Sequence, residues 1–303
     1  MHDSTKPYRG RFAPSPTGPL HFGSLVAAVG SYLDARANAG AWLVRIEDLD
    51  PPREADGAAD AILDTLQAYG FEWDGVVMRQ SSRAPAYAAA LERLARDGAV
   101  FPCACTRREI ADSSLGAVSE PVYPGTCRNG LPPGRAPRAI RARVGNAVIA
   151  FEDRVQGRIE QNLATDVGDF ILRRADGLFA YQLAVVVDDF EQGITDVVRG
   201  ADLLASTPRQ ILLQRLLGYS TPRYAHLPVA VNRDGQKLSK QTLAAPLLVE
   251  DAPAQLWEAL RFLGQAPLED LKGSGIPTLW AWALANWRML KVPRLESVCT
   301  DPR

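Results

Sequence analysis

The sequence has few of the residues that mark many specialised protein classes. Four cysteines and three histidines in 303 residues are too few for a disulfide-stapled secreted scaffold, and a chain of this length buries a core without staples. No stretch approaches the ~18 consecutive apolar residues of a membrane-spanning helix, and the opening MHDSTKPYRGRF lacks the apolar core of a signal peptide. Charge of one sign is also missing. The 34 Lys and Arg against 35 Asp and Glu leave a net of −1, which excludes a polybasic tail protein and an acidic disordered chain but leaves room for a local RNA-binding face. There is no Gly-Lys dipeptide, hence no Walker-type phosphate loop, and no Gly-x-Gly-x-x-Gly run follows a strand. What remains, 47% hydrophobic and 23% charged, is the composition of a globular protein of about two domains. Sparse cysteine points to the cytoplasm, and no membrane partner is expected.

The chain shows neither an internal repeat nor a low-complexity segment. Residues 8–12 read as a strand ended by the turn-rich Ala13-Pro-Ser-Pro-Thr-Gly-Pro19. Phe22, Leu25, Val26, Val29 and Leu33 recur at helical spacing, predicting a helix over 21–39 that stops at Asn38-Ala39-Gly40. A second strand is expected over 41–46, and helices around 56–69 and 85–96. Strand–helix–strand at this spacing is the pattern of a parallel α/β sheet. From 101 to about 162 the pattern is irregular, rich in Gly and Pro, and holds three of the four cysteines. Strands are then expected over 169–174 and 179–187, a helix over 201–217, and helices from 252 onward, with Trp280 and Trp287 as core residues. Four parts follow: 1–100 and 166–250 as halves of one α/β domain, 101–165 as an insert, and 251–303 as a helical C-terminal segment.

Two short motifs carry the chemistry. At the first loop–helix junction stands His21-Phe-Gly-Ser24. Backbone N–H groups and the helix dipole there favour an anion. His21 adds a donor, and Gly23 leaves room for a base or ribose. A Pro-rich turn capping an amphipathic helix would look the same. Lys237-Leu-Ser-Lys240-Gln241, after Asn232-Arg-Asp-Gly235, puts two lysines on a Gly-containing loop where they could meet a departing polyphosphate. A solvated surface loop would also look the same. As an ordered pair, however, the two segments resemble the HIGH and KMSKS signatures of class I aminoacyl-tRNA synthetases. Phe22, Ser24, Leu238 and Gln241 depart from those signatures, while the first and third HIGH positions and both lysines are kept. The resemblance implies ATP as co-substrate, accompanied by Mg2+ and bound by His21, Gly23, Ser24 and Lys240. It implies catalysis by His21, Lys237 and Lys240.

The resemblance narrows to the glutamyl-type synthetases over most of residues 8–245. Arg11-Phe-Ala-Pro-Ser15 with Pro-Thr-Gly18, Arg45-Ile-Glu47-Asp-Leu-Asp50, Tyr181-Gln-Leu-Ala184, Val187-Asp-Asp189 and Val198-Arg199-Gly-Ala-Asp202 are similar to that family's motifs. It implies an L-glutamate pocket made by Arg11, Ala13, Ser15, Glu47, Tyr181 and Arg199. The chemistry agrees. Arginine forks suit the two carboxylates of glutamate, Glu47 can balance its ammonium, and Tyr181 offers a neutral hydroxyl. The fold implied is α/β, a Rossmann-like doubly wound parallel sheet with a zinc-bearing insert and a short helical C-terminal part.

The zinc expectation starts from Cys103-Ala-Cys105 and Cys127. Cysteines this close do not easily form a relaxed disulfide, and in a reducing compartment they suggest a metal. No histidine lies in the insert, so residue type alone leaves Glu109, Asp112, Tyr123 and water open as the fourth ligand. Cys-x-Cys followed by Tyr-x-x-x-Cys resembles the zinc site of short glutamyl-synthetase paralogues, which implies one Zn2+ per chain held by Cys103, Cys105, Tyr123 and Cys127. Cys299 receives no role.

Between residues 128 and 158 seven arginines (128, 135, 138, 141, 143, 154 and 158) face only Glu152 and Asp153. That excess is either an RNA-backbone footprint or a solvated charged face. The chain runs to residue 303 with no large helical anticodon-binding region expected after the catalytic core. Among glutamyl-type enzymes this resembles the short paralogues that place glutamate on queuosine in the anticodon arm of tRNA(Asp), acting as a monomer. A generic glutamyl-tRNA synthetase without its anticodon domain, and a non-catalytic zinc-containing RNA-binding protein, are the alternatives.

Overall fold

The computed structural model describes residues 7–112, 122–238 and 245–300. The chain begins with β1 (Arg9–Phe12), α1 (Phe22–Ala37), β2 (Ala41–Ile46), α2 (Ala58–Ala68), β3 (Met78–Arg79) and α3 (Ala84–Arg96), close to the alternation expected from periodicity. β1 pairs in parallel with β2, and β2 with β3. Trp42, Val44 and Ile46 of β2 are buried, and so is Arg45 among them. A buried guanidinium is costly unless it is paired, so position 45 serves something besides packing.

Next come β4 (Val100–Cys103), α4 (Arg107–Asp112), β5 (Ala139–Ala142), β6 (Val148–Asp153), β7 (Gly157–Asn162), α5 (Leu163–Asp166) and β8 (Ile171–Arg173). The stretch that looks irregular in sequence thus holds two small β units, whose strands of three to six residues carry no strict apolar–polar alternation. β4, β5 and β8 form an antiparallel sheet. β6 and β7 form a hairpin.

The remainder is α6 (Tyr181–Glu191), β9 (Asp196–Gly200), α7 (Thr207–Leu217), β10 (Arg223–Leu227), β11 (Val229–Val231), α8 (Ala252–Phe262), α9 (Ile276–Asn286) and β12 (Ser297–Cys299). The strand expected over 179–187 is a helix, α6. All of its residues from Leu183 to Asp189 are buried, so it carries no one-sided apolar stripe, and a short continuous apolar run reads equally as a strand. The helix expected over 201–217 starts later, as α7, after a tighter 3-10 segment over Ala201–Ser206.

β9 and β10 are parallel, and the end of β6 joins β10 at Asp153 beside Tyr224. β9 lies against β1: Arg9 N donates to Thr195 Oγ1 at 2.8 Å, and Thr195 N donates to Arg9 O at 3.0 Å. The order β3-β2-β1-β9-β10 runs outward in both directions from that seam. This is the doubly wound arrangement, which leaves a crevice beyond the carboxyl ends of the strands where the order reverses.

α1 is clamped between the sheet and the C-terminal helices. Gly30 permits the close approach, since a Cβ there would lie 2.4 Å from Leu227 Cδ1. Trp280 packs edge-on to Tyr32 and Phe71 with ring centroids 4.9 and 5.0 Å apart, and Trp287 Nε1 donates to Asp34 at 3.3 Å. Both tryptophans are core, as expected. The C-terminal part does not stay helical: β12 pairs with β11, the strand that leads into Lys237. Among the described residues no helix is long and apolar enough to cross a membrane.

Candidate active site and metal centre

The seam between β1 and β9 ends in a cavity of 820 Å³. Its wall takes Arg11 from β1, Ala13 and Ser15 from the following loop, and His21, Gly23 and Ser24 from the start of α1. Glu47 follows β2, Tyr181 opens α6, Arg199 comes from β9, and Lys237 follows β11. The residues singled out in the sequence therefore meet around one space, although they span more than 220 positions. Lys240 lies outside the described residues.

Four charges sit on one side of this cavity. Arg11 donates to Asp189 through Nε (3.1 Å) and NH2 (3.4 Å). Arg45 donates through NH1 to the same carboxylate (2.8 Å) and to Gln192 Oε1 (2.7 Å), and through NH2 to Glu47 Oε1 (3.4 Å). Burial would raise the Asp189 carboxyl, but Arg11 and Arg45 outweigh it and hold Asp189 below its usual range. For Glu47 burial wins over the pull of Arg45 and Arg11, and the carboxyl is raised. A substrate ammonium placed beside Glu47 would offset that cost. With two guanidiniums against two carboxylates the cluster balances.

Arg199 does not. It is 5% exposed, and its hydrogen-bond partners are all neutral or backbone groups. Nε donates to His226 Nε2 (3.1 Å), NH1 to Tyr181 OH (3.3 Å), and NH2 to Thr207 Oγ1 and Gln210 Oε1 (both 2.8 Å). Burial pushes the Tyr181 phenol up, so it stays protonated. A buried cation with no carboxylate within ion-pair distance among the described residues leaves a positive charge to be met by a ligand.

Sequence reasoning missed Gln80. It is 1% exposed and lines the cavity. Its Nε2 donates to Asp188 Oδ2 at 2.7 Å, and its Oε1 has no partner among the described residues, which leaves an acceptor for a substrate N–H. Asp189 stands inside a quoted motif, but nothing local tells that Arg11 and Arg45 converge on it. Asp153 and His226, behind Arg199, gave no signal at all.

On the opposite side, His21 caps α1: Nδ1 accepts from Ser24 N at 3.4 Å, and Nε2 lies 3.2 Å from Ser24 Oγ. A Cβ at Gly23 would lie 3.2 Å from His21 Cε1 and 3.4 Å from Leu238 O. Position 23 thus sits between the His21 ring and the backbone that carries Lys237. Lys237 Nζ donates to Asp202 Oδ2 at 2.5 Å, so its charge is already balanced by a second cavity residue.

Away from the cavity, Cys103, Cys105 and Cys127 bring their sulfurs within 4.8 Å of one another. Two sulfurs about 2.3 Å from a tetrahedral ion stand ~3.8 Å apart, and Cys105 Sγ lies 3.7 Å from Cys127 Sγ. Tyr123 OH lies 3.5 Å from Cys103 Sγ and 3.9 Å from Cys105 Sγ. Glu109 is turned to Arg135 and Thr106, while the side chain of Asp112 lies outside the described residues. Arg141 Nε donates to Cys103 Sγ at 3.3 Å, and its guanidinium stacks 4.0 Å from the Tyr123 ring centre. Among the described residues the apolar cluster here consists of Phe101, Ala104 and the cysteines with Tyr123 and a few neighbours. It is separate from the two large cores, and an ion held by the three cysteines would add folding energy to it.

The arginine run is largely committed. Arg128 pairs with Asp169, Arg135 with Glu109, Arg154 with Asp34, and Arg158 with Glu160. Arg141 is buried against Cys103. Most of the charge of the run is thus engaged within the protein.

Known proteins place this geometry. The chain is similar to the protein named glutamyl-Q tRNA(Asp) synthetase from Dechloromonas aromatica, 64% identical over 95% of this chain and 96% of that one. It is also similar to the protein of the same name from Aromatoleum aromaticum, 61% identical over 97% and 93%. Among solved structures, glutamate–tRNA synthetase from Elizabethkingia anophelis superposes with a TM-score of 0.81 at 25% identity, covering 97% of this chain and 68% of that one. The family model "tRNA synthetases class I (E and Q), catalytic domain" matches residues 8–267, a span that includes the whole cavity wall, and the chain belongs to that family of class I tRNA synthetases.

Proposed function

We propose that the protein activates L-glutamate with ATP and transfers the glutamyl group to queuosine in the anticodon arm of tRNA(Asp). The observation that carries the amino-acid part is Arg199, the buried guanidinium whose direct side-chain partners are all neutral. A second carboxylate, that of the substrate side chain, completes it, with Tyr181 OH as a neutral neighbour. Arg11 retains donors beyond those given to Asp189, Glu47 takes the ammonium, and Ala13 and Ser15 shape the loop around the α-carboxylate. That carboxylate attacks the ATP α-phosphorus, forming the acyl–phosphate bond as pyrophosphate leaves. His21, Lys237 and Lys240 stabilise charge developing on the phosphates, with Mg2+ accompanying ATP and Gly23 and Ser24 lining its site. A queuosine hydroxyl then attacks the glutamyl carbonyl, AMP departs, and the hydroxyl proton is released.

The acceptor is taken from the names of the relatives, which match this chain over nearly its full length. One chain carries every residue of the site, consistent with a monomer working in the cytoplasm, where the nucleotide and tRNA are. One Zn2+ per chain is held by Cys103, Cys105, Cys127 and Tyr123, where it fixes the β4–β5 unit. Such an ion supplies folding energy and no step of the reaction.

The test is ATP–pyrophosphate exchange across amino acids, with metal analysis of the same preparation. Exchange dependent on L-glutamate and absent with L-glutamine is expected, with one zinc per chain. Exchange with no amino-acid dependence would overturn the activation reading, and metal-free reduced protein would overturn the zinc assignment.

A further inference from the structure

We propose that Asp153 and His226 form a positioning pair that aims Arg199 at the substrate carboxylate by holding the His226 ring in the tautomer whose Nε2 bears the lone pair. The inference rests on the reading of Arg199 as the carboxylate-binding cation and assigns a task to two residues that do not line the cavity.

The pair is assembled by the sheet. Arg199 on β9 and His226 on β10 stand side by side in register, and Asp153 at the end of β6 lies beside Tyr224 on the other flank of β10. Both members are buried, His226 completely. Asp153 is itself immobilised: its Oδ1 accepts from Val155 N (3.0 Å), Gln156 N (2.9 Å) and His226 N (3.1 Å). Its Oδ2 is 2.6 Å from His226 Nδ1.

Hydrogen-bond chemistry then settles the ring. A guanidinium donates and never accepts, so Nε2, 3.1 Å from Arg199 Nε, must offer its lone pair. The single ring proton therefore sits on Nδ1 and is donated to Asp153. Thr207 Oγ1, 3.1 Å from the same Nε2, also accepts from Arg199 NH2. A doubly protonated ring would set N–H against N–H. Burial, opposed by Asp153, takes the imidazole down to about 4, so the ring stays neutral where the enzyme works. With Nε fixed by His226 and NH2 by Thr207 and Gln210, the NH1 end is left toward Tyr181 and the cavity.

Three variants and one spectroscopic measurement test this. Asp153→Asn keeps an acceptor for the backbone N–H groups but presents an amide N–H to Nδ1. That moves the ring proton to Nε2, against Arg199, as the wrong tautomer does in a hydrolase triad. The KM for glutamate in pyrophosphate exchange should rise about tenfold or more, the loss expected when a buried donor is left unpaired, while the KM for ATP holds. His226→Phe should behave alike, whereas His226→Gln, whose Oε1 can accept from Arg199, should stay close to wild type. In 15N-histidine spectra, His226 should be protonated at Nδ1 in the wild type and at Nε2 in Asp153→Asn. An unchanged KM for glutamate in Asp153→Asn, equal rises in both KM values, or a wild-type ring protonated at Nε2 would each overturn the proposal. If His226→Phe does not fold, Asp153→Asn and the spectra decide alone. If the wild type shows no glutamate-dependent exchange, it is the functional reading that fails, and the tautomer still reports on the pair.

Discussion

On the amino-acid side of the cavity, Asp189 is held by both Arg11 and Arg45, and Arg199 by His226, Tyr181, Thr207 and Gln210. On the nucleotide side, His21 caps a helix and Lys237 is ion-paired to Asp202, with side chains 44% and 33% exposed. The contrast fits the two tasks. Selecting a small zwitterion demands fixed donors and acceptors whose mispairing is expensive. Stabilising a polyphosphate as its charge redistributes calls for backbone N–H groups and long cationic side chains that meet charge arising only during the reaction.

Substitutions on the two sides should therefore fail differently. The largest effect is expected from Arg199→Met, which removes the unbalanced cation and should cost roughly 3–5 kcal/mol in kcat/KM, appearing mainly as a raised KM for glutamate in exchange kinetics. A loss shared equally by the KM for ATP would break the comparison. Lys240→Ala comes next. Losing one donor aimed at developing charge should cost about 2.7–4 kcal/mol, here in kcat with both KM values little changed, checked by exchange rates alongside circular dichroism.

How much of this was legible in the sequence depends on whether the signal was local. His21-Phe-Gly-Ser24 and Lys237-Leu-Ser-Lys240 are contiguous strings, and the cysteine spacing is local too, so all could be read without a fold. What the cysteine spacing could not show is where Tyr123 stands, with its oxygen 3.5 Å from Cys103 Sγ and 3.9 Å from Cys105 Sγ. Asp189 pairs with Arg11 across 178 positions, and Asp153 with His226 across 73, partnerships that no window contains. α6 was misread because it is buried all round and so lacks the polar face by which a helix announces itself. The arginine run left an RNA footprint and a solvated face equally open because its carboxylate partners, Asp34 and Asp169 among them, lie outside it.

Two smaller effects sharpen the contrast. His226 is held down to about 4 by burial against an ordinary 6.5. Between those values the unfolded chain binds a proton that the folded ring refuses, so this contribution to stability is present above pH 6.5 and is lost as pH falls toward 4. From pH 7 to 5 the wild type should lose about 2 kcal/mol relative to His226→Gln, measured by urea denaturation at both pH values. Parallel curves would show that the ring is not held neutral. Asp202→Asn, which breaks the half-exposed pair with Lys237, should change stability by less than about 1 kcal/mol in the same assay. A larger loss would mean that the nucleotide side is as rigidly held as the amino-acid side.

The central claim concerns where the glutamate goes, and it is tested most directly with queuosine-containing tRNA(Asp) from which the 3′ terminal nucleotides have been trimmed. Single-stranded loops suit recognition because their bases can be splayed out and stacked, and a glutamyl group delivered to the anticodon loop does not need the 3′ end. Labelled glutamate should pass to the trimmed tRNA as well as to the intact one, and not to an unmodified transcript. Loss of the product on trimming would place the glutamate on the 3′ end and contradict the account.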